Sequence, residues 1–210
     1  MKEDLNRLGD PHLSPKEKLE RTRALAEQGD AEAQYQVGFR YYLGDSGAQD
    51  FNAAEKWYTL AAEQGHTEAQ FKLGKMKAQG KGIDQNDEQA LRWLQLAADQ
   101  GHPEAQELVG GLYARGQGVE ADMVAAYQWY LLAEQAHDAD LSAYLLEEGL
   151  APDLRGPALA AALGDGLLAA ELEVGLDRMQ GVRKGLAARM SPEQVAEAER
   201  LAAAWRRQEA

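Results

Sequence analysis

Cysteine is absent from the 210 residues, so there is no disulfide framework and no thiolate metal site. Long apolar runs are absent as well. No stretch approaches the ~18 uncharged apolar residues of a membrane span, so membrane insertion is not expected. The opening, MKEDLNRLGDPHLSPKEKLE, has no apolar h-region and does not read as a signal peptide. A cytoplasmic location is the expectation, with export by a route needing no such signal as the alternative. Basic charge is scarce: 22 Lys and Arg stand against 35 Asp and Glu, a formal net charge of −13. Phosphate backbones need a basic footprint, so nucleic acid is not an expected partner. Catalytic signatures are missing too. No G-x-S-x-G element is present, and no acid–base pair stands out among so many carboxylates. Gly80-Lys81-Gly82 lacks the strand–loop–helix context of a phosphate cradle. No cofactor is expected.

What the sequence does have is a repeat. Trp57, Trp93 and Trp129 recur at one spacing, and so do Ala33, Ala69 and Ala105, and Gly38, Gly74 and Gly110. Gly44, Gly80 and Gly116 follow the same register, as do Ala54, Ala90 and Ala126. Self-similarity at a period of roughly 20–50 residues signals stacked supersecondary units. Each unit reads as two helices. The first opens at Asp30, His66 or His102, with Pro103 at a position that tolerates its missing N–H. It ends near Gly44, Gly80 or Gly116, since glycine takes the left-handed conformation just past a helix end. The second runs through Ala54-x-x-Trp57 or its copies to Gly65 or Gly101. Small residues let the helices approach, and the tryptophans are expected to fill the space between units.

Before the first unit, Ser14-Pro15-Lys16-Glu17 is a helix start. The helix it opens ends in ALAEQG, like the later second helices, and reads as an N-terminal half-unit behind a loose Met1–Leu13. After the third unit a fourth first helix is expected from Asp138 to Glu148, with Ala136 standing where the closing glycine belongs. Further on, Ala158–Leu163 and Leu167–Met190 are rich in Ala and Leu, and Leu172, Leu176, Met179, Val182 or Arg183, Leu186 and Met190 keep mostly helical spacing. Ser191-Pro192-Glu193-Gln194 opens a last helix, with Val195, Leu201 and Trp205 as its expected buried edge. The expected organisation is therefore a solenoid over 14–149 and a C-terminal helical cap over 150–210.

These motifs resemble the Sel-one-like repeat family, a branch of the tetratricopeptide-like repeats. The resemblance rests on EAQ-x-x-[VL]-G at 32–38, 68–74 and 104–110, on G-x-G-[VI] at 80–83 and 116–119, and on A-x-x-W in each second helix. It implies an all-α fold, a right-handed α/α solenoid of three units between helical caps. It also implies an adaptor or scaffold that binds a protein segment. Two alternatives stand beside it: a small hydrolytic enzyme, and a regulator acting through residues 150–190 as a dimerisation arm. Three departures are visible. Gly44-Asp45-Ser46-Gly47 replaces G-x-G-V, Lys77 stands where Tyr41 and Tyr113 stand, and the third copy has lost one residue.

In tetratricopeptide-like stacks the first helices line the concave groove. Carried onto this chain, the non-core offsets give Gln36, Phe39 and Leu43, then Lys72, Lys75 and Gln79, then Leu108, Gly111 and Arg115. The cations Arg40, Lys72, Lys75, Lys77, Lys81 and Arg115 lie in or just after first helices, while Glu55, Glu63, Asp87, Glu88 and Asp99 lie in second helices. One reading is a groove with apolar ends and a cationic middle, suited to a segment with an acidic group or a C-terminal carboxylate. The other is a solvated face whose cations are screened by the protein's own acids. His66, His102 and His137 recur near one repeat position and are expected to be structural caps. They are a repeat apart, roughly 10 Å from helix packing distances, too far to share a metal ion. Asp50, Asn86 and Asp122 likewise suggest a cap role.

Overall fold

The computed structural model describes residues 15–44, 48–155, 159 and 167–209. The expectations for Met1–Leu13, for Ser14, for the Asp45–Gly47 loop and for most of Ala158–Leu163 lie outside the described residues. Among the described residues every regular element is a helix: α1 Pro15–Glu27, α2 Ala31–Leu43, α3 Phe51–Glu63, α4 Thr67–Gln79, α5 Asp87–Asp99, α6 Pro103–Arg115, α7 Met123–Glu147, α8 Leu167–Ala187 and α9 Pro192–Glu209. The chain forms two compact units, residues 1–97 and 98–210.

In the first unit the helix ends follow from their capping residues. Asp30 Oδ1 accepts the N–H of Ala33 at 2.8 Å, and Asp50 Oδ1 that of Ala53 at 2.9 Å. His66 does the same job for α4 through Nδ1, 3.2 Å from the N–H of Ala69. Asn86 Oδ1 accepts the N–H of Gln89 and opens α5. Each bond satisfies one of the four orphan donors of a helix N-terminus. At the other end of α4, Gly80 takes the left-handed conformation at φ 59° and its N–H closes on the carbonyl of Met76.

The EAQ motif has a specific task. Gln34 Nε2 donates to the carbonyl of Ala26 at 3.1 Å, and Gln70 Nε2 to that of Ala62 at 3.0 Å. Ala26 and Ala62 lie in the last turns of α1 and α3, where carbonyls have no intrahelical partner. The buried glutamine of each first helix thus seals the end of the helix before it.

Packing in this unit depends on close approach. A Cβ on Gly38 would lie 2.8 Å from Cδ1 of Tyr58, and one on Gly74 would lie 2.7 Å from Cγ of Leu94. The side chains seated on these glycines, Tyr58 and Leu94, are fully buried. Their neighbours Trp57 and Trp93 are only half-buried. The tryptophans pack between helices as expected, Trp57 on the cluster of Leu25, Ala26, Ala33 and Val37 and Trp93 on that of Ala54, Tyr58, Ala69 and Leu73, while Tyr58 and Leu94, one helical step on, sit directly against the first-helix glycines.

The second unit repeats the scheme. His102 Nδ1 accepts the N–H of Ala105, and Gln106 Nε2 donates to Ala98. Asp122 Oδ1 accepts the N–H groups of Val124 and Ala125. Here Trp129 is buried, with Trp205 of α9 edge-on at 6.4 Å between centroids. The expected break before Asp138 does not occur, and α7 runs 25 residues without interruption. At the matching positions Gly65 and Gly101 turn the chain at φ 87° and 82°. Ala136 cannot adopt that conformation cheaply and is the strongest helix former, so the helix continues.

Helices α8 and α9 both pack on α7. Leu176, Met179 and Leu186 are buried as the spacing predicted. Arg183 of α8 makes two hydrogen bonds to the Glu134 carboxylate and donates to Tyr127 Oη at 2.8 Å, the fork geometry in which arginine pairs are strongest. At α9 the capping box forms as expected: Gln194 N–H donates to Ser191 Oγ, and Ser191 N–H to Gln194 Oε1. Its expected edge makes contact, Val195 on the α7 cluster and Trp205 on Trp129, but is not its most buried part. Ala198 and Ala202 are the buried residues, and Val195, Leu201 and Trp205 flank them half-buried. Small side chains let α9 lie closer than its bulky edge would allow.

Candidate functional site

In the first unit Tyr35, Phe39 and Leu43 follow one another at i, i+4 and i+8, a straight ridge on one face of α2. Phe39 is 37% and Leu43 45% exposed. Tyr35 stacks on Phe39 at 6.2 Å and on the His66 ring at 4.8 Å. Burial, followed by the carboxylates of Glu68 and Glu32, pushes the Tyr35 phenol up.

Gln36 points its amide at Glu32, 2.8 Å away. His66 Nε2 lies 2.9 Å from the other Glu32 oxygen. Because Nδ1 already accepts a backbone N–H, the hydrogen-bond pattern assigns the proton to Nε2, which donates to Glu32. Partial burial raises the Glu32 carboxyl, but the hydrogen bonds from His66 and Gln36 outweigh it and hold the group below its ordinary value.

On α4, Lys72 and Lys75 both lie over the ring of buried Phe71, with Nζ 5.1 and 5.5 Å from its centroid. Lys72 also pairs with Glu68 at 3.6 Å. Lys75 and Gln79 are exposed, and Arg40 in the last turn of α2 is half-buried. Two further cations are engaged internally. Lys77 pairs with Glu55 of α3, and Lys81 donates to Tyr42 Oη at 2.7 Å over its ring. Self-screening by second-helix acid is therefore seen at Lys77.

The second unit holds Leu108, half-buried, and Arg115, exposed. Gly111 is buried, and a Cβ there would lie 3.1 Å from Nη1 of Arg115. Arg115 thus folds over Gly111, and its Nε donates to Gln117. Glu107 on the same helix pairs with Arg178 of α8 at 2.6 Å.

The outer stripe of the second helices is a less suitable surface. Leu60 and Leu96 are 44% and 40% exposed, but each sits singly among charges, with Lys56 and Glu63 around one and Arg92 and Asp99 around the other. At the matching places in α7 the residues are Gln128, Leu132 and Gln135, and Leu132 is buried. Charge therefore marks the solvated copies of this stripe. Two open clefts lie elsewhere. One of about 500 Å³ is lined by Tyr113, Val119, Met123, Val124 and Gln194, and one of about 440 Å³ by Asn52, Glu55, Lys77 and Ile83. Both sit beside the loop joining a first helix to a second. Among the described residues no three His, Asp or Glu side chains converge on a metal position, and no helix is long and apolar enough to cross a membrane.

Sequence reasoning passed over Glu32, Tyr35 and the buried glutamines. The glutamines could have been found, since a polar residue held at one repeat position inside an apolar face implies a fixed partner. Tyr35 could not, because Phe71 and Glu107 replace it in the other copies.

A family model described as Sel1 repeat matches residues 31–66, 67–102 and 103–138, together more than half of the chain. Among solved structures, the chain is similar to c5321, "a protective antigen present in uropathogenic Escherichia coli strains displaying an SLR fold". The identity is 35% over 64% of this chain and 30% of that one, with a TM-score of 0.53. It is also similar to a Sel1 repeat protein from Oxalobacter formigenes, 37% identical over 55% of this chain and 86% of that one, TM-score 0.51. The chain spans 30% of the length of c5321. No curated protein matches the chain. The fold class is the all-α repeat solenoid.

Proposed function

Because the chain belongs to the Sel1 repeat family, we propose that it is a non-catalytic adaptor holding a segment of a partner protein on its first-helix face. Sel1 repeat proteins serve generally as protein-interaction scaffolds and are typically non-catalytic. The observation that carries the reading is the α2 ridge. Phe39 and Leu43 stand exposed in succession with the aromatic Tyr35 beneath them, where a solvated helix face would carry charge. Aromatic anchors of this kind supply contact area at low entropic cost. Arg40 and Lys75, exposed or half-exposed on neighbouring first helices, favour a partner segment that adds an acidic group or a C-terminal carboxylate to an apolar anchor. The overall charge of −13 repels acidic partners at long range, so recognition is short-range and local.

Fluorescence anisotropy with labelled peptides tests this. The peptides carry a Leu or Phe anchor followed by Asp-Glu or by a free C-terminus, and amidated or Lys-substituted versions serve as controls. Binding should weaken as salt rises, since exposed charges are screened over about 8 Å at physiological ionic strength. Lys72→Glu with Lys75→Glu should abolish it, and Phe39→Ala should weaken it, while helicity and Tm stay nearly constant. Full binding by the charge-reversed double variant would move the interaction surface elsewhere, first to residues 150–190.

A further inference from the structure

The third repeat carries a slip in register. The first two copies close their second helices with AAEQGH and AADQGH, and the third reads LAEQAH. It is one residue shorter from its tryptophan to its histidine, and its glycine has become Ala136. Helix α7 therefore runs straight through, carrying Gln135 and His137 into its middle. His66 and His102 each accept a backbone N–H three residues on. His137 cannot, because in a continuous helix the N–H of Asp140 is held by the carbonyl of Ala136.

The consequences are visible in the interior. His137 is buried, and among the described residues neither ring nitrogen has a partner. Gln135 Oε1 and Gln106 Oε1 are buried and have no partner among the described residues either. In the first unit the acceptor that matches Gln106 Oε1 is Gln34 Oε1, which receives Nε2 of Gln64 at 2.7 Å. Ala136 occupies the helix position of Gln64 and has nothing to donate. Buried polar atoms are almost always paired, and each orphan disfavours the state that contains it.

The packing on either side is divided at the same place. Ala126, Tyr127, Tyr130 and Ala133 belong to one buried cluster with Met179, Leu186 and Ala198. Leu141 and Leu145 belong to another with Leu159. Between them His137 meets α8 at Gly175, which has no side chain to hold the ring.

We propose that α7 is a two-state element. Its ground state is the continuous helix, and its minor state breaks at Ala136. In the minor state His137 caps a separate helix by accepting the N–H of Asp140, as His66 does for Ala69. Gln135 sits in the turn, where it can reach Gln106 or water. Each half keeps its own buried cluster, so the break costs few side-chain contacts. The product is a fourth helical pair, with Asp138–Glu147 presented as an additional first helix.

Amide hydrogen exchange on the full chain, resolved by NMR, tests this. Amides 137–140 should exchange at least ~10-fold faster than those of 130–133 and of 143–146, a local opening inside a protected helix. Ala136→Gly should raise exchange at 137–140 several-fold further, whereas Ala139→Gly, on the exposed face three residues on, should not. Inserting one alanine after Ala133 together with Ala136→Gly restores the length and ending of the earlier copies. It should make the broken form dominant, read as non-helical carbon shifts at the new glycine with helical shifts retained on both sides. Uniform exchange across 130–146, equal effects of the two glycine variants, or helical shifts through the restored glycine would each overturn the proposal.

Discussion

Gln64 donates from Nε2 to Oε1 of Gln34, 2.7 Å away, and Gln34 in turn donates to the carbonyl of Ala26 at 3.1 Å. The two bonds make a chain that ties the end of α3, through α2, to the end of α1. Replacing Gln34 with Leu keeps the volume and removes both bonds, while the Ala26 carbonyl keeps the N–H of Gly29 and Gln64 Nε2 keeps the carbonyl of Leu60. Gln34 is 4% exposed, so water does not readily take its place. Losing the two hydrogen bonds should cost about 1–3 kcal/mol, at roughly 0.5–1.5 kcal/mol for each. Urea denaturation of the variant checks it, with an unchanged m-value expected.

Two glycines should respond to alanine with opposite signs. Alanine is favoured over glycine in a helix by roughly 0.5–1 kcal/mol. At Gly181 of α8 no atom of the described residues lies within 4 Å of the added Cβ, so Gly181→Ala should stabilise by about that amount. At Gly74 the Cβ would meet Leu94 at 2.7 Å from Cγ and 3.0 Å from the backbone nitrogen. A backbone atom cannot swing aside, and overpacking costs about 1–3 kcal/mol. Gly74→Ala should therefore be net destabilising. Thermal melts of the two variants beside the parent decide both signs.

Much of this architecture was legible from spacing. Histidine or aspartate at a helix start, and glycine at its end, announce themselves through local chemistry that depends on a few neighbouring residues. Contacts that depend on rotation around a helix were less legible. Trp57 and Trp93 dominate the pattern and do pack between helices, yet Tyr58 and Leu94 are the residues seated on the first-helix glycines. The loss of one residue before His137 was visible, but its effect was not. Whether a helix stops or continues depends on the balance between alanine's helix preference and a glycine turn, and the repeat pattern alone does not weigh the two. The exposed ridge at Phe39 and Leu43 was legible as an unpaired face, whereas the engagement of Lys77 with Glu55 required the three-dimensional arrangement.

The rotation argument has a direct test. Leu94 is fully buried and seated on Gly74, while Trp93 is half-buried with Arg92 beside its ring at 5.9 Å. Truncating a buried leucine costs about 2–5 kcal/mol, depending on how far the cavity collapses. Leu94→Ala should reach that range, and Trp93→Ala should cost less than the ~3–5 kcal/mol of a fully buried aromatic. Chemical denaturation of both ranks them. A larger loss at Trp93 than at Leu94 would make the tryptophan, not the leucine, the principal filler of this contact.

Acid should loosen the first unit through Glu32. Its folded-state carboxyl is held below the ordinary value: burial opposes ionisation, and the hydrogen bonds from His66 and Gln36 more than compensate. A carboxyl whose pKa is depressed by folding stabilises the protein above its unfolded pKa, about 4.3 for glutamate. That contribution is fully present at neutral pH and is lost as pH falls through the lower folded value. The Glu32 side chain is 51% exposed, so solvent screens the interaction and the contribution is small. In the parent, Tm should therefore fall more steeply between pH 5 and pH 3 (roughly the span that brackets the unfolded value) than in Glu32→Gln. The variant keeps an acceptor for His66 Nε2 but no longer titrates. Parallel Tm profiles for the two proteins through that window would show that the Glu32–His66–Gln36 cluster adds no acid-sensitive stability.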